Sequence, residues 1–496
     1  MAISDSDYAG SFVIPAPKGV YQADGDTNMS LAYAYEAENI RTEQGLLASA
    51  YGTSAEMPAL GVPMGTLERF YRRNRPDDPQ VYVAGAGGCI YTYTMGTEGW
   101  VKRAEGFLSD GWSTVTYEAQ DAGETTDILI MSNAKDGMIA VYGSDLRVER
   151  KTLAIGDGYE SVRFAQLGRY AERIFGVGAP GYPDSIFYSR PYNPFDWTDV
   201  PQTPEIGGGV INKPTWDGDS FLALCGFGGY LLAIKERTIF EIRGTDPSSF
   251  TITEACGTDC PIQARTICTD GLRMLYLSQQ GIGLYDGSQA RLLARDALEK
   301  TLRLRDARMA DKATACVCGH VYHLALCLKE STGDEPQENN AVVEYDMERG
   351  TFMLRRGLRV KDFYTDGGQV YFTQADAPYQ VMRYADPDSA GYPGETMTCL
   401  WETAWLDLGK TMRKRDFVLR FTAETDSAEQ ALEISLCTER GEKKRVVMLG
   451  RRRRDYRVKI QQSGVRVKLI LRAAVRSGGG FRIVGGVRVD YTMDEV

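Results

Sequence analysis

Short apolar and aromatic segments recur in pairs along most of the chain, and turn residues separate the two members of each pair. In one pair, 230–234 (YLLAI) and 238–242 (TIFEI), β-branched and aromatic residues dominate. This composition around a short turn is typical of a β-hairpin. Seven pairs follow the pattern: 80–84 with 89–93, 127–131 with 138–142, 173–177 with 185–189, 230–234 with 238–242, 273–277 with 281–285, 321–325 with 340–345, and 369–373 with 380–384.

The hairpins recur at about the 40–50-residue period of β-propeller blades. Each also leaves room for roughly two more strands, so we predict an all-β fold with an about seven-bladed β-propeller, a ring that leaves only short sheet edges. Six or eight blades also fit the spacing. A polar insert, 330–339, interrupts the sixth hairpin, and the helical spacing of 296–305 predicts a helix between the fifth and sixth hairpins.

The C-terminal part shows a different pattern, in which apolar residues alternate with mostly charged ones over 417–421, 465–472 and 487–491. Period-two alternation indicates antiparallel strands with one solvated face. About seven such strands fit between Leu400 and Thr492, enough for a small antiparallel β-sandwich. We therefore predict three regions: an extended N-terminal segment (1–60) that contributes to propeller closure, the propeller (61–390) and a basic sandwich (397–496).

Charge supports this division. The 496-residue chain has a net charge of −10, but from Cys399 onward it carries 21 Lys and Arg against 13 Asp and Glu, which leaves 36 against 54 for the rest. An acidic body with a basic appendage suggests two surfaces with different partners. The chain has no apolar run long enough for a membrane span and no secretory signal at its first ten residues, so we expect synthesis in the cytosol and no membrane partner.

Residues that could carry catalysis or hold a metal are few. Cys316, Cys318 and His320 would share one face of a strand and could converge on zinc, whereas His323 would point the other way. Buried thiols are the alternative, and the ten cysteines are too unevenly spaced for a disulfide framework. The segment 24–35 begins like a calcium loop but lacks its glycine and final glutamate, which favours a solvated turn. Phosphate-binding loops, nucleophile elbows and HExxH pairs are absent, so we predict no enzyme activity, no metal and no cofactor.

A run of basic residues near the C-terminus is the strongest candidate for binding. Aromatic residues that could stack on bases are not interleaved with it, which disfavours sequence-specific nucleic-acid recognition. Docking to an acidic protein surface, contact with phosphate, and a solvated loop remain open. The predicted contact residues are Lys443, Lys444, Arg445, Arg451, Arg452, Arg453 and Arg454, with Lys410, Arg413, Lys414 and Arg415 as further members of the cluster.

A proline-rich segment carries a second candidate site. Its prolines prevent regular strand pairing on both sides of 186–189, and the turn that ends at Trp197 is expected to bury two large aromatic side chains. A rigid, exposed loop of this kind suits packing between neighbouring subunits. The predicted subunit-packing residues are Pro180, Pro183, Pro191, Asn193, Pro194, Phe195 and Trp197.

Two stretches, 39–52 (NIRTEQGLLASAYG) and 173–197 (RIFGVGAPGYPDSIFYSRPYNPFDW), resemble segments of bacteriophage virion β-propeller proteins. The group includes the tail-nozzle and packaged-DNA-stabilisation proteins of short-tailed phages. The resemblance implies a virion structural protein, assembled in the host bacterial cytoplasm. It would form a hexameric ring in the tail or head-tail connector, attached to the portal or its adaptor and to other tail proteins, around packaged DNA that it retains.

Two other functions remain open. The propeller could be a host-facing module at the tail tip that binds a receptor or glycan, or it could be a hydrolase that uses a pair of acidic residues. An acidic propeller suits a channel through which DNA slides without sequence-specific recognition, so we favour the structural role.

Overall fold

The computed structural model describes residues 10–23, 30–43, 45–121, 123–159, 161–293, 295–329, 337–408, 412–427, 429–477 and 479–493. The described chain is all-β, as predicted, and helix is confined to a few short turns. The segment 24–29, which includes the start of the calcium-like loop, lies outside the described residues. In the part of the chain that the structure describes, no helix is both long and apolar enough to cross a membrane.

The N-terminal segment contributes short strands to several different sheets. In chain order they are β1 (Gly10–Ile14), β2 (Gly19–Val20), β3 (Tyr33–Ala34), β4 (Glu36–Glu38), β5 (Ile40–Glu43), β6 (Leu46–Ser49) and β7 (Tyr51–Ala55).

Four antiparallel sheets follow, named I to IV, and their strands are mostly consecutive in sequence. Sheet I contains β8 (Met64–Phe70), β9 (Val81–Ala86), β10 (Cys89–Thr94) and β11 (Val101–Glu105). Sheet II contains β12 (Ser113–Asp121), β13 (Glu124–Asn133), β14 (Gly137–Tyr142) and β15 (Val148–Lys151). After the short strand β16 (Ala154–Ile155), sheet III contains β17 (Gln166–Tyr170), β18 (Arg173–Val177), β19 (Ser185–Tyr188) and, after the short strand β20 (Asp196–Trp197), β21 (Gly209–Asn212). Sheet IV contains β22 (Phe221–Phe227), β23 (Tyr230–Lys235), β24 (Thr238–Arg243) and β25 (Thr251–Gly257).

Three more groups of four strands, V to VII, complete the series. Sheet V contains β26 (Cys268–Thr269), β27 (Met274–Leu277), β28 (Ile282–Tyr285) and β29 (Ala290–Leu292). Sheet VI contains β30 (Thr314–Cys318), β31 (Val321–Leu326), β32 (Ala341–Asp346) and β33 (Thr351–Arg356). Sheet VII contains β34 (Val360–Asp366), β35 (Gln369–Gln374) and β36 (Val381–Ala390), and the N-terminal strand β7 is its fourth member.

Short helices connect some of these strands. The α-helix α1 (Glu299–Arg303) lies between sheets V and VI, which confirms a helix at the predicted place, although it is shorter than the predicted segment. The remaining helical turns are 3-10 helices at Pro204–Ile206, Ala264–Thr266, Arg295–Leu298 and Ala307–Lys312.

All seven predicted hairpins form, each as the second and third strands of its sheet. In sheet II, for example, Ile128 pairs with Tyr142 and Asn133 with Gly137, so the two central strands share one continuous register. The paired parts of these central strands, 128–133 and 137–142, are buried on both faces because sheets I and III cover them. Part of the polar insert in the sixth hairpin, 330–336, lies outside the described residues.

From sheet II to sheet VII the first strands of consecutive sheets lie next to one another, and β34 of sheet VII contacts β8 of sheet I. Between sheets I and II, Thr114 of β12 donates to Glu68 of β8 at 3.1 Å. Polar contacts join successive sheets: the backbone N–H of Trp112 donates to Thr66 at 2.7 Å between sheets I and II. Arg69 of sheet I forms an ion pair of 2.6 Å with Asp366 of sheet VII. Four-stranded antiparallel sheets stacked through their first strands are typical of a β-propeller.

The C-terminal part consists of strands, as predicted, although Val418 and Ile470, on the face expected to be solvated, are also buried. The strands are β37 (Met397–Glu402), β38 (Lys414–Thr425), β39 (Glu429–Thr438), β40 (Gly441–Gly450), β41 (Arg454–Gly464), β42 (Val467–Val475) and β43 (Phe481–Met493). In β42, Val467, Leu469 and Leu471 are buried. Side chains from these strands join one apolar cluster that also receives residues of sheets VI and VII and of the N-terminal segment.

The sequence pattern did not predict how the N-terminal segment joins these strands. One sheet has the order β41-β38-β43-β6-β5, with β1 also paired to β43. The other continues from β33 of sheet VI through β4 into β37, β42, β39 and β40. The short strand β4 therefore links sheet VI to the C-terminal strands. The predicted boundaries 1–60, 61–390 and 397–496 stay predictions.

Candidate docking surface

Most of the basic residues singled out in the sequence lie along one strand and the turn that follows it. Strand β40 pairs only with β39 among the described residues, so it forms the edge of the nine-stranded sheet. It runs through Lys443, Lys444 and Arg445 into the exposed turn 451–453, after which β41 begins. At roughly 3.3 Å per residue, the cations from Lys443 to Arg451 span about 25 Å. We call the residues 443–454 the basic edge.

The pairing register assigns the side chains of β40 to two faces. Lys443 and Arg445 lie opposite Leu436 and Ile434 of β39, both of which are buried. Because opposite residues in an antiparallel pair project to the same face, these two cations point to the apolar side of the sheet, at its rim. Charged residues that point inward at an edge strand discourage unwanted strand-to-strand pairing.

On the opposite face of β40, two apolar side chains are exposed to solvent. Val446 is 62% exposed and Met448 is 47% exposed. They alternate with Lys444, which is held by Glu433 at 3.2 Å and Glu442 at 3.6 Å. The basic edge thus presents a small apolar patch among cations.

The other cations of the basic edge have no carboxylate partner among the described residues. Within the part of the chain that the structure describes, Lys443, Arg445 and the turn arginines 451–453 form no ion pair. Arg454 lies over the Tyr456 ring at 5.2 Å and donates to its hydroxyl at 2.8 Å, which holds the guanidinium in place without neutralising it. Most of the basic edge is therefore available to an acidic partner.

One of the neighbouring basic residues, Lys414, does not belong to this surface. Lys414 is fully buried, and its ammonium donates to the carbonyls of Val465 at 2.8 Å and Met412 at 3.2 Å. Its inclusion in the basic cluster was wrong, because those carbonyls hold the ammonium inside the fold. Lys410 lies outside the described residues.

The structure divides the proline-rich segment into an inner and an outer part. Trp197 is 1% exposed, packs on Phe164 with ring centroids 4.6 Å apart, and donates its indole N–H to the carbonyl of Pro194 at 3.0 Å. Pro194 is also buried, and Phe195 is half-buried beneath the ammonium of Lys151 at 5.1 Å. These residues stabilise the boundary between sheets II and III of their own chain. A contact with another subunit would fall to the exposed Pro180, Pro183 and Asn193, with Pro191 half-buried beside them, and stays a prediction.

The cysteine–histidine stretch forms a hairpin rather than one continuous strand. His320 lies in the turn between β30 and β31, so it does not alternate with Cys316 and Cys318 along a strand. His323 pairs opposite Cys316, so both project to the same face. The expectation that His323 points away was wrong, because the chain reverses at His320. In the described residues, no three His, Cys, Asp or Glu side chains are grouped to hold a metal ion.

A buried polar cluster near this hairpin was missed by the sequence analysis. Arg355 donates to Glu344 at 3.1 Å and to the carbonyl of Tyr51 at 2.7 Å, and the Tyr384 hydroxyl donates to Glu344 at 2.6 Å. His323 packs against Tyr384 at 5.1 Å, and burial lowers the pKa of His323 to about 4. Its members come from distant parts of the chain, so no local pattern marks the cluster. It joins sheets VI and VII to the N-terminal segment.

Asn39 forms a second set of hydrogen bonds at the same junction. It is the first residue of the stretch 39–52, which resembles the virion proteins. It has a φ of +55° and is almost fully buried. Its amide donates to the carbonyl of Thr398 at 2.8 Å, and its oxygen accepts from the backbone of Arg356 at 3.0 Å and from the Tyr392 hydroxyl at 2.8 Å. Asn tolerates the left-handed conformation better than most residues, which accounts for its use at this turn.

No known protein family matches the chain, and no curated protein is similar to it in sequence. Among solved structures, it is similar to the Pan2 WD40 domain of Neurospora crassa at 12% identity, covering 68% of this chain and 95% of that one, with a TM-score of 0.37. A chain of a mitotic checkpoint complex gives 9% identity, coverage of 67% and 91%, and a TM-score of 0.40. YCF48 from Cyanidioschyzon merolae gives 12% identity, coverage of 68% and 99%, and a TM-score of 0.39. At these values the similarities carry no argument about what the chain does.

Proposed function

We propose that sheets I to VII are the seven blades of a closed β-propeller. The contact between β34 and β8 and the Arg69–Asp366 ion pair support closure, since they join the last sheet to the first. Strand β7 supports it as well: this N-terminal strand pairs with β36 as the outer strand of sheet VII, so the two ends of the propeller meet in one sheet. We further propose that the two C-terminal sheets are the layers of a β-sandwich, because both contribute to one apolar cluster.

We infer that the protein is a structural subunit of a bacteriophage tail or head-tail connector. In this role several copies, six by the resemblance to virion propellers, form a ring around the packaged DNA and retain it. The basic edge of the sandwich docks the subunit to an acidic surface of a neighbouring virion protein. The observation that carries the proposal is that Lys443, Arg445 and the arginines 451–453 of the basic edge have no carboxylate partner in the described part of the chain.

The physical argument rests on the cost of leaving these charges unpaired. Adjacent arginines in the turn 451–453 repel one another, and an acidic partner relieves that repulsion. Charges arranged in a strip also raise the rate at which an oppositely charged surface is encountered. The acidic remainder of the chain repels DNA phosphates, so a channel lined by it lets DNA pass without sticking.

The test is replacement of the four arginines Arg451→Ser, Arg452→Ser, Arg453→Ser and Arg454→Ser together. All four are exposed, so the circular dichroism spectrum and the unfolding midpoint of the purified protein should change little. In phage production from a plasmid-borne gene, we expect particles that lack this protein, or that lack the neighbour that docks on it. Immunoblots of purified particles and electron micrographs give the readout.

The matched control removes four exposed cations from the propeller and so changes the net charge by the same amount. It carries serine at Arg75, Lys102, Arg243 and Arg349. Normal particles with the control and defective ones with the edge variant support docking by the basic edge. Normal incorporation of the edge variant would overturn that role.

A further inference from the structure

The side chain of Trp216 is 98% exposed, more than any other large apolar side chain among the described residues. It lies in the connection between β21 of sheet III and β22 of sheet IV, within the sequence 213–219 (KPTWDGD). An exposed tryptophan is a frequent anchor of protein interfaces, because its ring supplies a large contact area from one side chain. Asp217 follows it directly and is also exposed, so an apolar ring and a carboxylate lie side by side at the surface.

Hydrogen bonds formed by the side chains of Lys235 and Asp219 hold the loop that carries Trp216 in place. Lys235 is completely buried, forms an ion pair with Asp184 and donates to the hydroxyl of Thr215 at 3.2 Å. Asp219 accepts from the backbone N–H of Arg237 at 2.9 Å. The loop of Trp216 is therefore held in place, although no described residue covers the side chain. A preorganised anchor loses little conformational entropy on binding, which favours a role in recognition.

The basic edge offers the complementary features. Val446 and Met448 form an exposed apolar patch, and Arg451, three residues beyond Met448 in the exposed turn, has no carboxylate partner in the described residues. Methionine sulfur and aliphatic carbons pack well on an indole ring, and a guanidinium pairs with a carboxylate. Trp216 and Asp217 match this surface in both apolar character and charge.

The positions of the two surfaces on the chain suit a head-to-tail contact. Trp216 lies between sheets III and IV, whereas β40 is joined through β39, β42, β37 and β4 to sheet VI. In a propeller these are different sides of the ring of blades. A contact between two different patches repeats from one subunit to the next and closes into a ring when the rotation allows it.

We propose that the Trp216 loop of one subunit docks on the basic edge of a second copy of this chain, with Trp216 on Val446 and Met448 and Asp217 paired with Arg451. The inference rests on the proposed ring and names the acidic neighbour that the basic edge meets.

The experiment measures self-association of the full chain by sedimentation velocity over a range of concentrations. Trp216→Ala should weaken association at least about tenfold, the loss expected for an interface anchor. Leu108→Ala is the matched control, because Leu108 is also a well exposed apolar residue, at 75%, and lies outside both surfaces. Its association should equal that of the unmodified protein.

Charge exchange tests the pairing itself. Asp217→Arg and Arg451→Asp should each weaken association, and the two changes in one chain should restore most of it, because the pair is re-formed with reversed polarity. A photoreactive amino acid at position 216 should cross-link to a peptide of 441–454 from another subunit.

The outcomes separate the two proposals. A ring that survives Trp216→Ala, or a cross-link to another part of the chain, overturns this contact and leaves the ring proposal standing. A chain that is monomeric at every concentration overturns both.

Discussion

The buried pair of Arg355 and Glu344 holds the junction between sheets VI and VII and the N-terminal segment, and its loss should be costly. Arg355→Met fills a similar volume but removes the guanidinium, which leaves Glu344 with the Tyr384 hydroxyl as its remaining close donor among these contacts, and removes a donor from the Tyr51 carbonyl. Breaking a buried pair by removing one partner costs roughly 3–5 kcal/mol, because the other charge stays buried without compensation.

This loss can be converted into a temperature. At about 2.1 cal/mol/K per residue, unfolding of a chain of 496 residues has an entropy on the order of 1 kcal/mol/K at the midpoint. The expected decrease in Tm is therefore about 3–5 °C for Arg355→Met, measured by differential scanning calorimetry. The double variant Arg355→Met with Glu344→Gln should recover part of the loss, because no uncompensated charge remains.

The reasoning fails in either of two ways. A Tm for Arg355→Met within 1 °C of the unmodified protein would show that the pair does not stabilise the junction. A double variant as unstable as the sum of the two single variants would show that Arg355 and Glu344 are not coupled.

Two further predictions concern buried side chains. Burial lowers the pKa of His323 from 6.5 to about 4, so the unfolded chain binds a proton more readily than the folded chain. Neutral His323 therefore adds about 3 kcal/mol to the free energy of unfolding relative to acid conditions. This stabilisation is complete above pH 6.5 and is lost as the pH falls towards 4. His323→Phe should remove that part of the slope when the free energy of unfolding is measured in urea between pH 4 and 7, and equal slopes for both proteins would refute the assignment. Trp197→Ala should cost about 3–5 kcal/mol, because it leaves a cavity between sheets II and III; Pro183→Ala, at an exposed position of the same segment, serves as the control, and a comparable loss in both would contradict an internal role for Trp197.

Much of the strand content could be predicted because short local patterns of apolar and turn residues indicate it. The central hairpins combine β-branched and aromatic residues with a turn of a few residues, and the structure pairs all seven as expected. The apolar positions Val467, Leu469 and Leu471, spaced two residues apart, likewise marked β42 correctly. Such patterns are visible because both strands of a hairpin are neighbours in sequence.

Pairings between strands that are far apart in sequence could not be predicted in this way, because no local sequence pattern indicates them. Strand β4 is three residues long, with the sequence EAE, yet it joins sheet VI to β37. The same limit applies to the basic residues. Lys414 and Arg445 are alike in sequence context, but Lys414 is buried with its ammonium on the carbonyl of the distant Val465, whereas Arg445 is exposed. Exposure of Trp216 could not be read from the sequence either, because it depends on the buried Lys235 that supports its loop.

The most direct test of the account is a cryo-electron microscopy reconstruction of the purified protein at high concentration. The account predicts a closed ring of copies around a central channel, each copy a seven-bladed propeller, with the basic edge of one subunit against its neighbour. Isolated monomers, or an assembly in which the basic edge faces solvent, would contradict it.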